Sequence, residues 1–308
     1  MSTALTISPS PFRQQHTISP SPFRQQRLLP SPSPTTRGEA VVANMYDPRP
    51  GLAANGIQPI FQRSVVQILG QRIQRSVVRG QPDQVVTRFF GSGFIIHKKV
   101  QENKFLVITC RHVIEDVNNA NNDEHLMVRL PGTHLDAPAY AHQYLKKPDV
   151  QVISVHVPPQ TMISVNQFPC VVFSPQPAAV GTLVTLMGYY NPINLPLYLN
   201  RQGPLLAIEP SAYGGYIVGP PDHTEHDGIV VQHNCFGIRG ASGGPLIRFD
   251  THCAIGVFTG TTYGIGEAAS TECVRRLLGR WLESNGVGIN DTDTIQTRLD
   301  KCAELNLY

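Results

Sequence analysis

The chain has 308 residues, 41% of them hydrophobic, which is enough for one large buried core or two medium ones. No apolar run reaches the length of a membrane-crossing helix, so no such span is expected. Glycine and proline stand at 26 each, a composition that suits short strands joined by turns and disfavours a helical bundle. The net charge of +3 hides a division, because residues 1–90 hold ten arginines against Glu39, Asp47 and Asp83 while the remainder is net acidic. No aromatic interleaving or nucleic-acid motif accompanies the basic stretch, so nucleic acid is not expected as a partner.

Residues 1–58 read as a disordered tail. TISPSPFRQQ occurs at 6–15 and again at 17–26, followed by SPSPTT at 31–36. Such Pro, Ser, Gln and Arg repeats bury too little apolar surface to offset chain entropy. Serines 8, 10, 19, 21, 31 and 33 each precede a proline and would suit proline-directed kinases, although a plain spacer is the preferred reading. No signal-peptide h-region follows Met1, so secretion by that route is not expected. The expectation is an intracellular protein, either cytoplasmic or imported into an organelle through its acid-free N-terminus.

SVVQILG at 64–70 predicts the first strand. QRSVV recurs at 62–66 and 74–78, which suggests a local duplication or a hairpin of two like strands. GSGFII at 91–96 and the apolar run Phe105 to Ile108 predict two more strands, and His112 follows the second of these. The Asn-rich stretch 115–147 predicts a long surface excursion. Asp149 opens an extended segment carrying Val150, Val152, Val155 and Val157. Short strands bounded by Gly or Pro then continue to about residue 270, including VVFSPQ at 171–176 and GTLVTLMGYY at 181–190. DHTEHD at 222–227 sets His223 and His226 three apart among acids, but flanking Pro220, Pro221 and Gly228 make a loop the better reading than a zinc-binding helix. Cys273, Leu277, Leu278 and Trp281 recur at helical spacing over 271–284, and a second helix is predicted over 294–305.

GIRGASGGPL at 237–246 is the most informative stretch. It sets Ser242 among small residues at a sharp turn, where a nucleophilic hydroxyl can stand exposed. Neighbouring backbone N–H groups can point at a developing oxyanion. His112 and Asp149 lie upstream, with gaps of 37 and 93 residues between the three in the order His, Asp, Ser. Asp136 is a rival acid between His112 and Ser242, but it sits among Pro131, Gly132 and Pro138, whereas Asp149 begins an alternating strand.

These four stretches together resemble the trypsin-like serine peptidases, most closely the HtrA/Deg-type branch, over about residues 60–270. The resemblance implies a serine endopeptidase of all-β fold, with two six-stranded antiparallel β-barrels, short C-terminal helices and a disordered N-terminal tail. The peptidase domain would span 59–270 with a barrel boundary near 160–170, and residues 271–308 would form a helical extension too short for a PDZ domain. His112 would serve as general base and then acid, Asp149 would orient it, and Ser242 would be the nucleophile. The turn Gly240-Ala241-Ser242 would form the oxyanion hole, with the N–H groups of Gly240 and Ser242 as donors.

By the same resemblance Phe236 would close the base of the specificity pocket. Arg239, Phe258, Thr259, Gly260 and Thr261 would line the rest of the substrate site. With no acid at the base, an apolar P1 residue is expected. Ala241 stands where secreted trypsins carry an aspartate, so activation by N-terminal cleavage is not expected. Cys110, Cys170, Cys235, Cys253, Cys273 and Cys302 do not follow the secreted disulfide pattern, so free thiols are expected. No metal or cofactor is expected, and the partners would be protein or peptide substrates. A catalytically silent peptide-binding module on the same fold is the alternative reading.

Overall fold

The computed structural model describes residues 47–76, 80–120, 124–142, 148–190, 209–224 and 228–308. One compact unit runs from Pro48 to Tyr308. The tandem repeat and the Ser-Pro pairs lie outside the described residues.

The unit starts earlier than the boundary at residue 59. Arg49–Phe61 forms a helix, α1, with Ala53, Ala54, Ile57 and Phe61 buried. Its prolines and glycines read as breakers in sequence. Pro50, however, falls in the first turn, where a missing N–H costs nothing.

Strands β1 (Val65–Gln74), β2 (Gln84–Lys99), β3 (Lys104–Thr109), β4 (His125–Arg129), β5 (Asp136–Ala141) and β6 (Gln151–His156) follow. They close a six-stranded antiparallel barrel in the order β1-β2-β3-β6-β5-β4. The second QRSVV copy is not the hairpin partner of the first. β1 pairs with β2 from Val65↔Phe94 to Gln74↔Gln84, so that copy starts on the last residue of β1, and its residues 77 and 78 lie outside the described residues.

The Asn-rich excursion is corrected. A helix, α2 (Arg111–Ala120), follows β3 directly, and β4 and β5 occupy much of the rest. Val113, Ile114 and Val117 form the buried face of α2, an i, i+1, i+4 stripe masked in sequence by the polar run after it.

The second sheet contains β7 (Leu183–Gly188), β8 (Ser211–Tyr216), β9 (Asp222–Thr224), β10 (Gly228–His233), β11 (Pro245–Arg248), β12 (Ala254–Thr262) and β13 (Ile265–Ser270). Its order is β8-β7-β11-β12-β13-β10-β9. It is therefore a seven-stranded sheet among the described residues, not a second closed six-stranded barrel. β8 ends at Tyr216, and β9 takes the edge of β10 over 228–230, so the two ends of the sheet meet only at a short bridge. That bridge joins Ile217 to His233, with Val218 N–H donating to Gln232 O at 3.0 Å and Asn234 N–H to Tyr216 O at 3.1 Å. The DHTEHD loop expectation is also revised, since Asp222–Thr224 is β9 and His226 lies outside the described residues. VVFSPQ forms only a single bridge, Phe173 with Ala254.

Two helices end the chain, α3 (Thr271–Ser284) and α4 (Ile295–Glu304). Thr294 caps α4 by accepting from Thr297 N–H at 3.1 Å. Val274, Leu277, Leu278, Trp281 and Leu282 of α3 join the same apolar core as the first barrel, and Leu299 and Cys302 of α4 complete it. Each such fully buried aliphatic side chain contributes about 1.5–3 kcal/mol of transfer free energy. The C-terminal helices are thus part of the core. A smaller second core lies inside the seven-stranded sheet, around Val184, Leu186, Ile217, Leu246 and Phe258. Among the described residues no helix is long and apolar enough to cross a membrane.

Candidate active site

β3 delivers His112. Its run Phe105 to Thr109 is wholly buried, which fixes the strand, and the chain turns into α2 immediately after Cys110. His112 is then the second residue of α2. Asp149 lies just before β6, the partner of β3, and the pairing Thr109↔Gln151 brings the two residues together. His112 Nδ1 and Asp149 Oδ2 stand 2.7 Å apart, and the His112 backbone N–H donates to Asp149 Oδ1 at 3.0 Å. One carboxylate thereby holds both the ring and the backbone of the histidine, which restricts the imidazole to one orientation. The remaining ring nitrogen is left for other chemistry.

Burial by itself pushes the His112 pKa down. The Asp149 hydrogen bond and charge outweigh it, with Asp116 assisting and Arg111 opposing, so the pKa is raised. Asp136 does not compete for His112. It is held by Arg129 through two hydrogen bonds of 2.6 and 2.9 Å and by Gln71 at 2.7 Å.

Ser242 sits half-buried in the turn before β11. Gly243, with φ +88°, packs so tightly that a Cβ there would lie 2.0 Å from Ser92 O and 2.3 Å from Thr109 Oγ1. Only glycine fits, in both backbone angle and space. The same Cβ position is 3.1 Å from Cys110 N, so the segment bearing Ser242 abuts the one leading to His112. The Phe258 carbonyl joins them, accepting from Gly243 N–H at 2.8 Å and from the Cys110 thiol at 3.0 Å.

The N–H groups around the serine divide into two kinds. Ala241 N–H donates to Ile238 O at 3.1 Å, Gly243 N–H to Phe258 O, and Gly244 N–H to Ala241 O at 2.8 Å. Among the described residues the N–H groups of Gly240 and Ser242 have no acceptor. The sequence expectation that named Ala241 in the oxyanion hole is corrected in this respect, because the turn itself takes up its N–H.

Sequence reasoning overlooked Ser92. Its N–H donates to Ser242 O at 2.8 Å, and its hydroxyl donates to Gly240 O at 2.7 Å and accepts from Tyr189 N–H at 2.9 Å. Its carbonyl accepts from Thr109 Oγ1 at 2.7 Å. The flanking glycines of GSG were a visible signal, but they pointed to a strand and not to the serine between them.

The specificity-pocket expectation changes. Phe236 is 69% exposed and leans on Tyr213, so its ring does not floor a closed pocket. Phe258, by contrast, is packed inside the sheet. It is 2% exposed, and a Cβ on Gly237 would lie 2.8 Å from its ring tip and 2.5 Å from Thr261 Oγ1. Behind Phe258 stands His233, fully buried, at 5.6 Å between ring centroids. Arg239 is exposed. β11 pairs with β12 only as far as Val257, so Thr259, Gly260 and Thr261 keep one edge open among the described strands.

None of the six cysteines is in a disulfide, and all lie in described residues. Among the described residues one group of potential metal ligands converges. Cys110, His112 and Asp149 bring one donor atom each to within 4.8 Å of one another.

A barrel and an open β-sheet, with His112 and Asp149 on the first and Ser242 entering the second, define a peptidase-like architecture. The family model for the trypsin-like peptidase domain matches residues 91–257, more than half of the chain, and the protein belongs to that family. Among solved structures, the active form of the Rv3671c protease from M. tuberculosis is similar at 21% identity and a TM-score of 0.49, covering 90% of this chain and 98% of its own. The inactive form of the Rv3671c protease is similar at 22% identity and a TM-score of 0.47, covering 75% of this chain and 95% of its own. No curated protein matches the chain.

Proposed function

We propose that this protein is a serine endopeptidase acting through an acyl-enzyme on Ser242. The observation that carries the reading is the double hold of Asp149 on His112, beside a serine turn whose Gly240 and Ser242 N–H groups face no acceptor among the described residues. His112, neutral and protonated on Nδ1 towards Asp149, accepts the Ser242 hydroxyl proton on Nε2. Ser242 Oγ bonds to the scissile carbonyl carbon. The carbonyl oxygen takes up the negative charge and is held by the N–H groups of Gly240 and Ser242. The imidazolium, stabilised by Asp149, then gives its proton to the leaving amine as the C–N bond breaks. Water repeats the sequence to release the acid and restore Ser242.

Substrate would be a protein or peptide, added as a strand along the open edge at Thr259, Gly260 and Thr261. The buried Phe258 ring would give a primary pocket an apolar lining, which suits an apolar P1 side chain and leaves a buried arginine or lysine head uncompensated.

Labelling with a fluorophosphonate probe tests the reading. Wild type should label covalently at one serine, and Ser242→Ala should not label. Equal labelling of both would refute the assignment of the nucleophile. No labelling of a folded wild type would favour the silent peptide-binding alternative.

A further inference from the structure

Cys110 has no part in the proposed chemistry, yet its thiol lies beside the His-Asp pair. It is fully buried, it precedes the first residue of α2, and its Sγ falls in the same 4.8 Å group as donor atoms of His112 and Asp149. A thiolate, an imidazole and a carboxylate form a donor set suited to Zn²⁺, and the sulfur disfavours Ca²⁺ or Mg²⁺. The N-terminal end of α2, which Cys110 directly precedes, favours the negative charge that a bound thiolate would carry. We propose that Cys110, His112 and Asp149 form a zinc site that switches this peptidase off. The inference rests on the reading of His112 as general base.

The chemistry of inhibition follows from the nitrogen used. Nδ1 is the ring nitrogen that faces Asp149. Ligation through it requires its proton to leave, and the neutral ring then carries hydrogen on Nε2. That nitrogen can no longer accept the Ser242 proton. The Cys110 thiol proton is released to solvent, and its hydrogen bond to Phe258 O is given up for the metal. Asp149 exchanges a hydrogen bond for a metal bond. No electron is transferred, and a chelator should reverse every step.

The test uses the reduced full chain with Zn²⁺, and with Co²⁺ as a probe whose thiolate complexes absorb in the near ultraviolet. Wild type should bind one Co²⁺ with a thiolate band that Zn²⁺ displaces. Cys110→Ser should lose the band and at least tenfold in Zn²⁺ affinity by calorimetry, and His112→Ala should lose at least tenfold as well. Ser242→Ala should bind like wild type. In parallel, Zn²⁺ should slow fluorophosphonate labelling of wild type at least tenfold, with recovery on adding chelator, and the ratio with and without Zn²⁺ should return to one in Cys110→Ser. If circular dichroism shows Cys110→Ser unfolded, Asp149→Asn supplies the same binding comparison. Metal binding is read without turnover, so a chain that binds Zn²⁺ through Cys110 but never labels defeats the peptidase reading alone. A Co²⁺ band that survives Cys110→Ser, or labelling that Zn²⁺ does not slow, overturns the zinc site.

Discussion

The hydroxyl of Ser92 donates to the carbonyl of Gly240 at 2.7 Å. Ser92 belongs to β2 of the barrel, while Gly240 belongs to the turn that presents Ser242, so this bond ties the two halves at the point of chemistry. Gly240 has φ +96°, a conformation that leaves its N–H without an acceptor among the described residues and directs its carbonyl to Ser92. Ser92 therefore acts as a positioning residue for the proposed oxyanion hole.

Ser92→Ala should leave the Gly240 carbonyl and the Tyr189 N–H without their partner in a buried place. The stability cost should be about 1–3 kcal/mol. The turn should loosen enough to lower kcat by roughly tenfold to a hundredfold, with KM little changed. Steady-state kinetics and urea unfolding measure both. A loss of stability with kcat intact would make Ser92 purely structural.

Ser242→Ala should abolish peptide hydrolysis, with kcat falling on the order of 10⁴-fold or more, while the fold persists because Ala241 and Gly243 already surround the site with small groups. Hydrolysis assays beside circular dichroism decide it. Casein cleavage at the wild-type rate by the variant would refute the nucleophile assignment.

The pH profile follows from the raised His112 pKa. Only neutral imidazole accepts the serine proton, so kcat/KM should rise with pH, with a midpoint above the ordinary histidine value of about 6.5. In Asp149→Asn the largest raising influence is gone, and burial outweighs the smaller pull of Asp116, so the midpoint should fall. The rate should also drop about 10³ to 10⁴-fold as the ring loses its orientation. An unshifted midpoint in that variant would show that Asp149 does not set the ionisation.

Specificity should follow Phe258. Peptide-library digestion should show Val, Leu or Phe at P1 above Arg and Lys by more than about tenfold, which needs only ~1.4 kcal/mol of differential transition-state binding. Phe258→Ala should move the preference towards larger aromatic side chains by deepening the pocket. A profile dominated by Arg or Lys would defeat the assignment.

His233 should make the fold acid-sensitive. Burial alone pushes its pKa down to about 4, and neither ring nitrogen has a partner among the described residues. The unfolded chain therefore binds a proton near pH 6.5 that the folded chain refuses. The stability that neutral His233 allows is present above that pH and lost as pH falls towards 4. Between pH 7 and pH 5 the loss should be about 2 kcal/mol. Urea unfolding at the two pH values measures it, and His233→Leu should remove most of the difference. An equal loss in the variant would place the sensitivity elsewhere.

The sequence by itself determined the local features. GIRGASGGPL bends sharply because its glycines allow positive φ, and the apolar run Phe105 to Ile108 can only be a buried strand ending near His112. The stripe Cys273, Leu277, Leu278 and Trp281 likewise determines a helix, since its spacing requires no distant partner. What only the tertiary structure decided were relationships across the chain. The sequence ranked Asp149 above Asp136 only by its local setting, and the fold separates them because strand register sets Asp136 against Arg129 and Asp149 against His112. Phe236 and Phe258 are both aromatic in sequence and differ only in the folded chain, where Phe236 is 69% exposed and Phe258 is buried against Gly237. α1 formed through a stretch rich in Pro and Gly because β7 and β8 offered its apolar stripe a surface, with Gln58 tied to Pro210 O at 3.0 Å. The bonds of Ser92 to Gly240 and Ser242 span about half the chain, and no local pattern encodes a contact at that separation.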